Sequence, residues 1–268
     1  MGILNVTPDS FFNGHRYTDK AGALAHGLQM VQDGADIIDV GGESTRPGAS
    51  AVDADEELKR VIPIIRELAE RTEATISVDT RKALVARYAI EAGAAIINDV
   101  SALTHDPAMS RIAREYGAGV ILMHMLGTPQ TMQNNPHYDD VVAEVSDYLK
   151  TRADDLIAQG LDGKTVAVDP GIGFGKTVEH NVRLLSHLRD IGACRWPVVV
   201  GVSRKSVLGK LTGRDVQDRL AGSLAALTFC VLNGAHVMRV HDVRQSLDAV
   251  RTASVLDQTR KGKHVVVD

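Results

Sequence analysis

Polar residues recur at one kind of place in this sequence, the end of a short run of small apolar residues. Asn5 follows Gly2-Ile3-Leu4, Asp39 follows Ile37-Ile38, and Asp79 follows Ile76-Ser77-Val78. Asn98-Asp99 follows Ile96-Ile97, Met123-His124 follows Val120-Ile121-Leu122, and Asp169 follows Val166-Ala167-Val168. Ser203-Arg204-Lys205 follows Val198-Val199-Val200-Gly201-Val202, and Arg239 and His241 end Val237-Met238. Burying such groups is costly unless they meet donors, a metal or a ligand. An ionised Asp only accepts hydrogen bonds, so Asp79 and Asp169 suit the amino and ring N–H edge of a guanine-like or pterin-like ring. Asn98 adds an amide, and Lys205 can donate to the carbonyl side of the same ring. Arg46, Arg239, His241 and Asn5 suit phosphate oxygens. Met123 and Phe174 can supply apolar contact to the ring faces. Asp39 and Asp99 are read as buttresses of neighbouring loops, outside the binding set.

The elements that must position these residues announce themselves as a repeat. Gly34-Ala35-Asp36-Ile37-Ile38-Asp39-Val40 recurs around Gly93-Ala94, Gly117-Ala118 and Gly234-Ala235, each time after an amphipathic helical stretch. The Gly fits the residue after a helix, where φ turns positive, and an apolar strand follows. Strands are predicted over Gly2–Val6, Ile37–Val40, Thr75–Val78, Ile96–Asp99, Val120–Met123, Val166–Asp169, Val198–Gly201 and Val237–Val240. Helices are predicted over Ala21–Asp33, Asp53–Arg71, Arg81–Ala92, Pro107–Tyr116, Asp139–Gln159, Val178–Asp190, Gln217–Asn233 and Val243–Leu256. Asp106-Pro107 is read as the N-cap and first residue of the fourth helix, and Gly222 as a close-packing site on a strand. Eight strands alternating with eight helices make an α/β protein, a single (β/α)8 TIM barrel over residues 1–268. A doubly wound sheet is the weaker alternative, because no G-x-G-x-x-G opens a helix after the first strand. The chemistry then belongs at the C-terminal mouth of the barrel.

Composition narrows the partners. The 268 residues are 44% hydrophobic and 24% charged with a net charge of −4, an ordinary globular balance that argues against nucleic acid. Any cationic site must be local. Cys194 and Cys230 lie far apart, Cys230 within an apolar run read as core, so no disulfide framework is indicated and the cytoplasm is expected. No signal segment precedes the first strand, and no apolar run is long enough to span a membrane. Gly171-Ile172-Gly173-Phe174-Gly175-Lys176-Thr177 fails the spacing of a phosphate loop, and no His/Cys set has zinc spacing. His26, His180 and His187 fall on helices as surface or packing residues, and no Ser/His/Asp set is convincing.

Taken together, the phrases Asn5-Val6-Thr7-Pro8-Asp9-Ser10-Phe11, Gly41-Gly42-Glu43-Ser44-Thr45-Arg46-Pro47-Gly48, Ser77-Val78-Asp79-Thr80 and Asn98-Asp99-Val100-Ser101 resemble dihydropteroate synthases. So do Leu122-Met123-His124-Met125, Asp169-Pro170-Gly171-Ile172-Gly173-Phe174, Ser203-Arg204-Lys205 and Arg239-Val240-His241-Asp242, in the family's order over nearly the whole chain. The start of the chain departs from the pattern: it is short, and little cover is expected over the barrel bottom. The resemblance implies the joining of p-aminobenzoate to 6-hydroxymethyl-7,8-dihydropterin diphosphate, giving 7,8-dihydropteroate and diphosphate. It implies that Asp79, Asn98, Met123, Asp169, Phe174 and Lys205 hold the pterin. Asn5, Thr45, Arg46, Arg239 and His241 are implied for the diphosphate, with Mg2+ assisting at Asn5. Phe11, Pro47, Phe174, Lys205 and Ser206 are implied for p-aminobenzoate, and Asp79, Lys205, Arg239 and His241 for catalysis. The loops after the first two strands are expected to close over the diphosphate, and a homodimer is implied. A pterin-binding methyltransferase would not need Arg46 or the Arg239/His241 cations. A non-catalytic paralogue should have lost residues in those two loops, whose motifs are intact.

Overall fold

A computed structural model describes residues 1–7, 20–45, 48–49, 51–192 and 195–260. Phe11, Arg46, Pro47, Cys194 and the stretch from Lys261 onward lie outside the described residues. Strands β1 (Gly2–Asn5), β2 (Ile37–Gly41), β3 (Thr75–Asp79), β4 (Ile96–Asp99), β5 (Gly119–Met123) and β6 (Val166–Asp169) form one sheet in chain order. All its pairings are parallel. Strands β7 (Val199–Val200) and β8 (Val237–Met238) pair in parallel. Parallel bridges Val168–Val198 and Gly2–Val240 join this pair to both edges of the larger sheet. Two hydrogen bonds close the ring at β1: Ile3 N donates to Val240 O at 2.9 Å, and Val240 N to Met1 O at 3.0 Å. The sheet has no free edge, and the predicted eight-stranded barrel is the fold.

Alternation along each strand sorts the side chains. Outward residues such as Leu4, Ile38, Val40, Val78, Leu122 and Val200 merge with the helices into one large core. Inward residues Met1, Ile121 and Val199 form a separate small cluster, with Ile37, Ile96, Ala167 and Val237 packed against it. Register then places Asp39 beside Ser77, and Asn5, Gly41 and Asp79 side by side above them. The polar residues found at strand ends therefore stand on an apolar plug.

The helices are α1 (Lys20–Gln32), α2 (Ala54–Arg71), α3 (Ala83–Glu91), α4 (Met109–Tyr116), α5 (Val141–Ala158), α6 (Val178–Ser186), α7 (Leu188–Gly192), α8 (Ser206–Thr212), α9 (Leu220–Leu232) and α10 (Val243–Arg260). The repeat glycines behave as expected: Gly34, Gly93, Gly117 and Gly234 have φ of 95°, 112°, 62° and 99°. Four expectations are corrected. The helix expected over Val178–Asp190 breaks at His187, whose φ/ψ of −122°/29° leave the helical region. Helix α8 is not among the eight predicted helices, because its short run ends at Gly213, with φ of 68°, before amphipathic periodicity can show. Helix α4 starts at Met109 with Ala108 as its unassisted N-cap. Asp106 instead accepts from Ala108 N at 3.0 Å and from Ala83 N of the neighbouring α3 at 2.9 Å. A Cβ on Gly222 would meet Thr212 and Leu208 of α8 at ordinary contact distances of 3.5 and 3.9 Å, so no strand presses on it.

Because Asp106 serves the starts of two helices, Asp106→Ala should destabilise the fold by about 1–2 kcal/mol. Urea unfolding reads this, and an unchanged midpoint would show that neither bond contributes.

Candidate active site

The floor of the barrel mouth is built by β2, β3, β4 and the residue after β8. Arg239 Nε donates to Asp39 Oδ2 at 2.6 Å, and its Nη2 to Asp79 Oδ2 at 2.7 Å. Asn98 Nδ2 also donates to Asp39 Oδ2, at 3.0 Å. Asp39 is fully buried, and its Oδ1 has no partner; neither has the buried Ser77 Oγ on the adjacent strand. Burial alone would discharge Arg239, yet Asp39 and Asp79 outweigh it and raise its pKa. Burial raises Asp79 despite the opposing pull of Arg239, and Asp39 pushes it the same way. Two buried carboxylates share one guanidinium, so the trio is short of donors.

Glycines keep the space above this floor open. A Cβ on Gly41 would lie 3.7 Å from Asp79 Oδ2 and 3.8 Å from Asn5 Oδ1. One on Gly201 would lie 3.7 Å from Lys205 Nζ. Lys205 reaches over the mouth from the N-cap of α8 and donates to Ile172 O. Its Nζ also sits 4.7 Å from the centroid of the Phe174 ring, in cation–π range. Burial lowers Lys205 to about 8, and Asp169 resists that fall. Asp169 lies in register with Met123, and its Oδ1 accepts from Gly171 N at 2.7 Å. Burial raises the Asp169 pKa, against the pull of Lys205.

The cationic turn after β7 divides. Lys205 faces the mouth, whereas Arg204 is clipped to Asp242 by both carboxylate oxygens, Nε to Oδ2 being 2.9 Å. Ser203 Oγ accepts from His241 N at 3.3 Å and lies 3.1 Å from His241 Nδ1. The Arg204–Asp242 clip thus locks the neighbours of the two groups, Lys205 and His241, that the sequence assigns to ligands. The loop after β2 is anchored from below. Lys82 bridges Glu43 and the fully buried Glu57, and Arg81 Nη2 donates to Glu43 at 2.9 Å. Burial would raise Glu43, but Lys82 and Arg81 more than reverse this and hold it below the usual range. Thr45 sits half-buried just beyond, and Ser206 lies exposed at the start of α8.

The structure therefore brings Asn5, Asp79, Asn98, Met123, Asp169, Phe174, Lys205, Arg239 and His241 to one mouth. Asp99 stays apart as expected, accepting from Ser101 N at 2.7 Å and Leu103 N at 3.1 Å. Asp39 does not: it is part of the floor. Its inward parity with Asp79 was the available signal. Ser77 shares that parity and was missed. No group of three or more His, Cys, Asp or Glu able to hold a metal occurs among the described residues. Asn5 offers one hard oxygen near Asp79, which fits Mg2+ bound through few protein ligands plus substrate oxygens.

Comparison with known proteins agrees with this geometry. A family model described as pterin binding enzyme matches residues 1–241. The dihydropteroate synthase of Escherichia coli strain K12 is 45% identical over 263 residues, covering 98% of this chain and 93% of the relative. A Yersinia pestis dihydropteroate synthase solved with a sulfonamide drug superposes with a TM-score of 0.92 at 41% identity, over 97% of this chain and 93% of the other. A Xanthomonas albilineans dihydropteroate synthase in complex with 7,8-dihydropteroate gives 0.85 at 42% identity, over 95% and 92%. A barrel mouth floored by carboxylates, with cations at its rim, and matched over nearly its full length, places the chain in the dihydropteroate synthase family of pterin-binding enzymes.

Proposed function

We propose the following roles for this chain's residues in the reaction of a dihydropteroate synthase. The enzyme joins p-aminobenzoate to 6-hydroxymethyl-7,8-dihydropterin diphosphate. The arylamine nitrogen bonds to the pterin methylene, the methylene C–O bond breaks, diphosphate leaves, and the nitrogen loses a proton. An uncharged aryl amine needs no base to become nucleophilic, so the barrier lies in C–O cleavage. Positive charge then grows on the methylene and negative charge on the diphosphate.

The observation that carries this reading is the excess of carboxylate in the floor, where Asp39 and Asp79 share Arg239. Asp169, Asp79 and Asn98 meet the amino and ring N–H edge of the pterin, and Lys205 meets its carbonyl side. Asp79 also stabilises the developing cation. Met123 and Phe174 cover the ring faces. The guanidinium N–H groups of Arg239 not bonded to carboxylates, with His241, Asn5 and Thr45, receive the leaving diphosphate. Arg46 joins them, although it lies outside the described residues. Bound Mg2+ would neutralise part of the diphosphate charge, held by Asn5 Oδ1 and phosphate oxygens. Phe174, Lys205 and Ser206 line the p-aminobenzoate site, together with Phe11 and Pro47, which also lie outside the described residues. A methyltransferase reading loses its ground, because the relatives matched at full length are dihydropteroate synthases.

Cytoplasmic location and a homodimer belong to the same proposal. No described helix is long and apolar enough to cross a membrane. Phe229 on α9 and Val255 and Leu256 on α10 are exposed apolar side chains on two helices packed together, and these support a dimer face. Leu256→Glu should shift the chain to monomer in sedimentation, and a wild-type monomer would end that proposal.

Purified protein with the dihydropterin diphosphate and Mg2+ should release diphosphate only when p-aminobenzoate is added. Arg239→Ala should lower kcat by at least about 100-fold while weakening a pterin lacking the diphosphate far less. Equal losses for both ligands would remove Arg239 from the leaving-group site.

Lys205 supplies a pH test. Its pKa is depressed to about 8, so the ammonium is present below that pH and lost above it. Pterin affinity should therefore fall above about pH 8, by up to about tenfold per unit. Calorimetry on wild type and Lys205→Arg, which stays charged, checks the assignment; identical pH profiles would contradict it.

A further inference from the structure

The segment between β6 and α6 carries Phe174 on an unusual backbone. Gly171, Gly173 and Gly175 alternate at φ of 68°, 85° and 64°. Three glycines so close give the unfolded segment much freedom to lose. Every carbonyl from Ile172 to Gly175 is nevertheless taken by a different side chain. Lys205 Nζ holds Ile172 O, and Gln133 Nε2 holds Gly173 O at 2.8 Å. Lys176 Nζ holds Phe174 O at 2.9 Å, and the Tyr138 hydroxyl holds Gly175 O at 2.8 Å.

Lys176 is the member that no role assigned above explains. It is a lysine only 3% exposed, and it belongs to neither the floor nor the rim of the mouth. Its other contacts are His124 Nδ1 at 2.9 Å and, more weakly, His124 O at 3.4 Å. Burial lowers Lys176 to about 7; in its ammonium form three N–H donors face three acceptors, and His124 then accepts at Nδ1 and keeps its proton on Nε2. Burial and the Lys176 charge hold His124 neutral, at about 3. The imidazole is itself fixed, with Tyr148 edge-on at 5.0 Å and 90° and Tyr138 tilted at 6.1 Å. The loop passes so close that a Cβ on Gly171 would lie 1.9 Å from His124 O. Lys176 therefore sets the position of the Phe174 backbone from a reference point at the end of β5.

We propose that the Lys176–His124 pair is a positioning device that holds the Phe174 wall of the arylamine site in place. Neither residue needs to touch the arylamine; both act through Phe174 and its carbonyl. The assignment of Phe174 to that site rests on the function proposed above.

The test uses Lys176→Met, which keeps the bulk and removes the donors. The KM for p-aminobenzoate should rise about tenfold, with kcat within about threefold and pterin affinity within about twofold of wild type, as expected for the loss of charge-assisted bonds. Amide exchange in the unliganded protein gives a readout independent of turnover. The amides of Gly171, Gly173 and Phe174 are bonded to Asp169 Oδ1, Asn181 Oδ1 and Gly171 O at 2.7, 2.7 and 3.0 Å. They should exchange about tenfold faster in the variant while the amides of α5 are unchanged. If Lys176→Met does not fold, two His124 variants replace it. His124→Asn keeps an acceptor near the Nδ1 position and should match wild type; His124→Phe should raise the p-aminobenzoate KM about tenfold. An unchanged KM in Lys176→Met or His124→Phe, or pterin affinity falling in step with it, overturns the inference. A wild-type chain that forms no dihydropteroate sinks the proposed function instead, and unchanged loop exchange in Lys176→Met then still overturns the lock.

Discussion

One guanidinium spanning two carboxylates governs the layout of this barrel. Arg239 stands after β8, Asp39 in β2 and Asp79 at the end of β3, so the two ion pairs tie together strands separated by most of the chain. Such groups are costly to bury, and removing one partner costs more than the pair contributes. The barrel tolerates them because they rest on the apolar plug of Met1, Ile121 and Val199 and face an open mouth.

The inward charge balance has a chemical consequence. Asp39, Asp79 and Asp169 are set against Arg239 and Lys205, so acceptors outnumber cations. Asp39 Oδ1 and Ser77 Oγ remain unpartnered beneath them. A floor of this kind favours a flat ring that donates along one edge and grows more positive as it reacts. The proposed diphosphate site takes the free N–H groups of Arg239 and the rim above it, where His241 lies beside Ser203 and Thr45 follows the Glu43–Lys82–Glu57 anchor. In the proposed reaction the acceptor-rich floor faces the charge that C–O cleavage leaves on the pterin methylene.

Much of this was legible in the sequence, for a physical reason. Each βα unit buries an apolar strand and ends its helix at a residue with positive φ, so Gly-Ala followed by aliphatics marks the repeat wherever it occurs. Strand ends then label the mouth. What stayed hidden depends on side chains meeting across elements. Asp106 looks like a cap for its own helix but bonds to Ala83 of the neighbouring one. Helix α8 is too short to show a period. Asp39 was set aside although strand alternation points it inward with Asp79. Lys176 reads as part of a failed phosphate motif, and only the fold brings it to His124.

The two loops at this mouth are held in different ways. The segment after β6 is fixed in the free protein by donors on its carbonyls and by the close approach of Gly171 to His124. The segment after β2 is gripped at its base, where buried charges hold Glu43, and again where Gly48 N donates to Pro129 O at 3.3 Å and Gln130 Nε2 donates to Ala49 O at 3.2 Å. A pterin bound against Asp169, as proposed, meets a wall already built, and little ordering entropy opposes it. The proposed arylamine site draws on both segments, through Phe174 in the first and Pro47 in the second. The carbonyl clamps of Lys176 and Tyr138 therefore set the Phe174 wall in the free protein, before any ligand arrives.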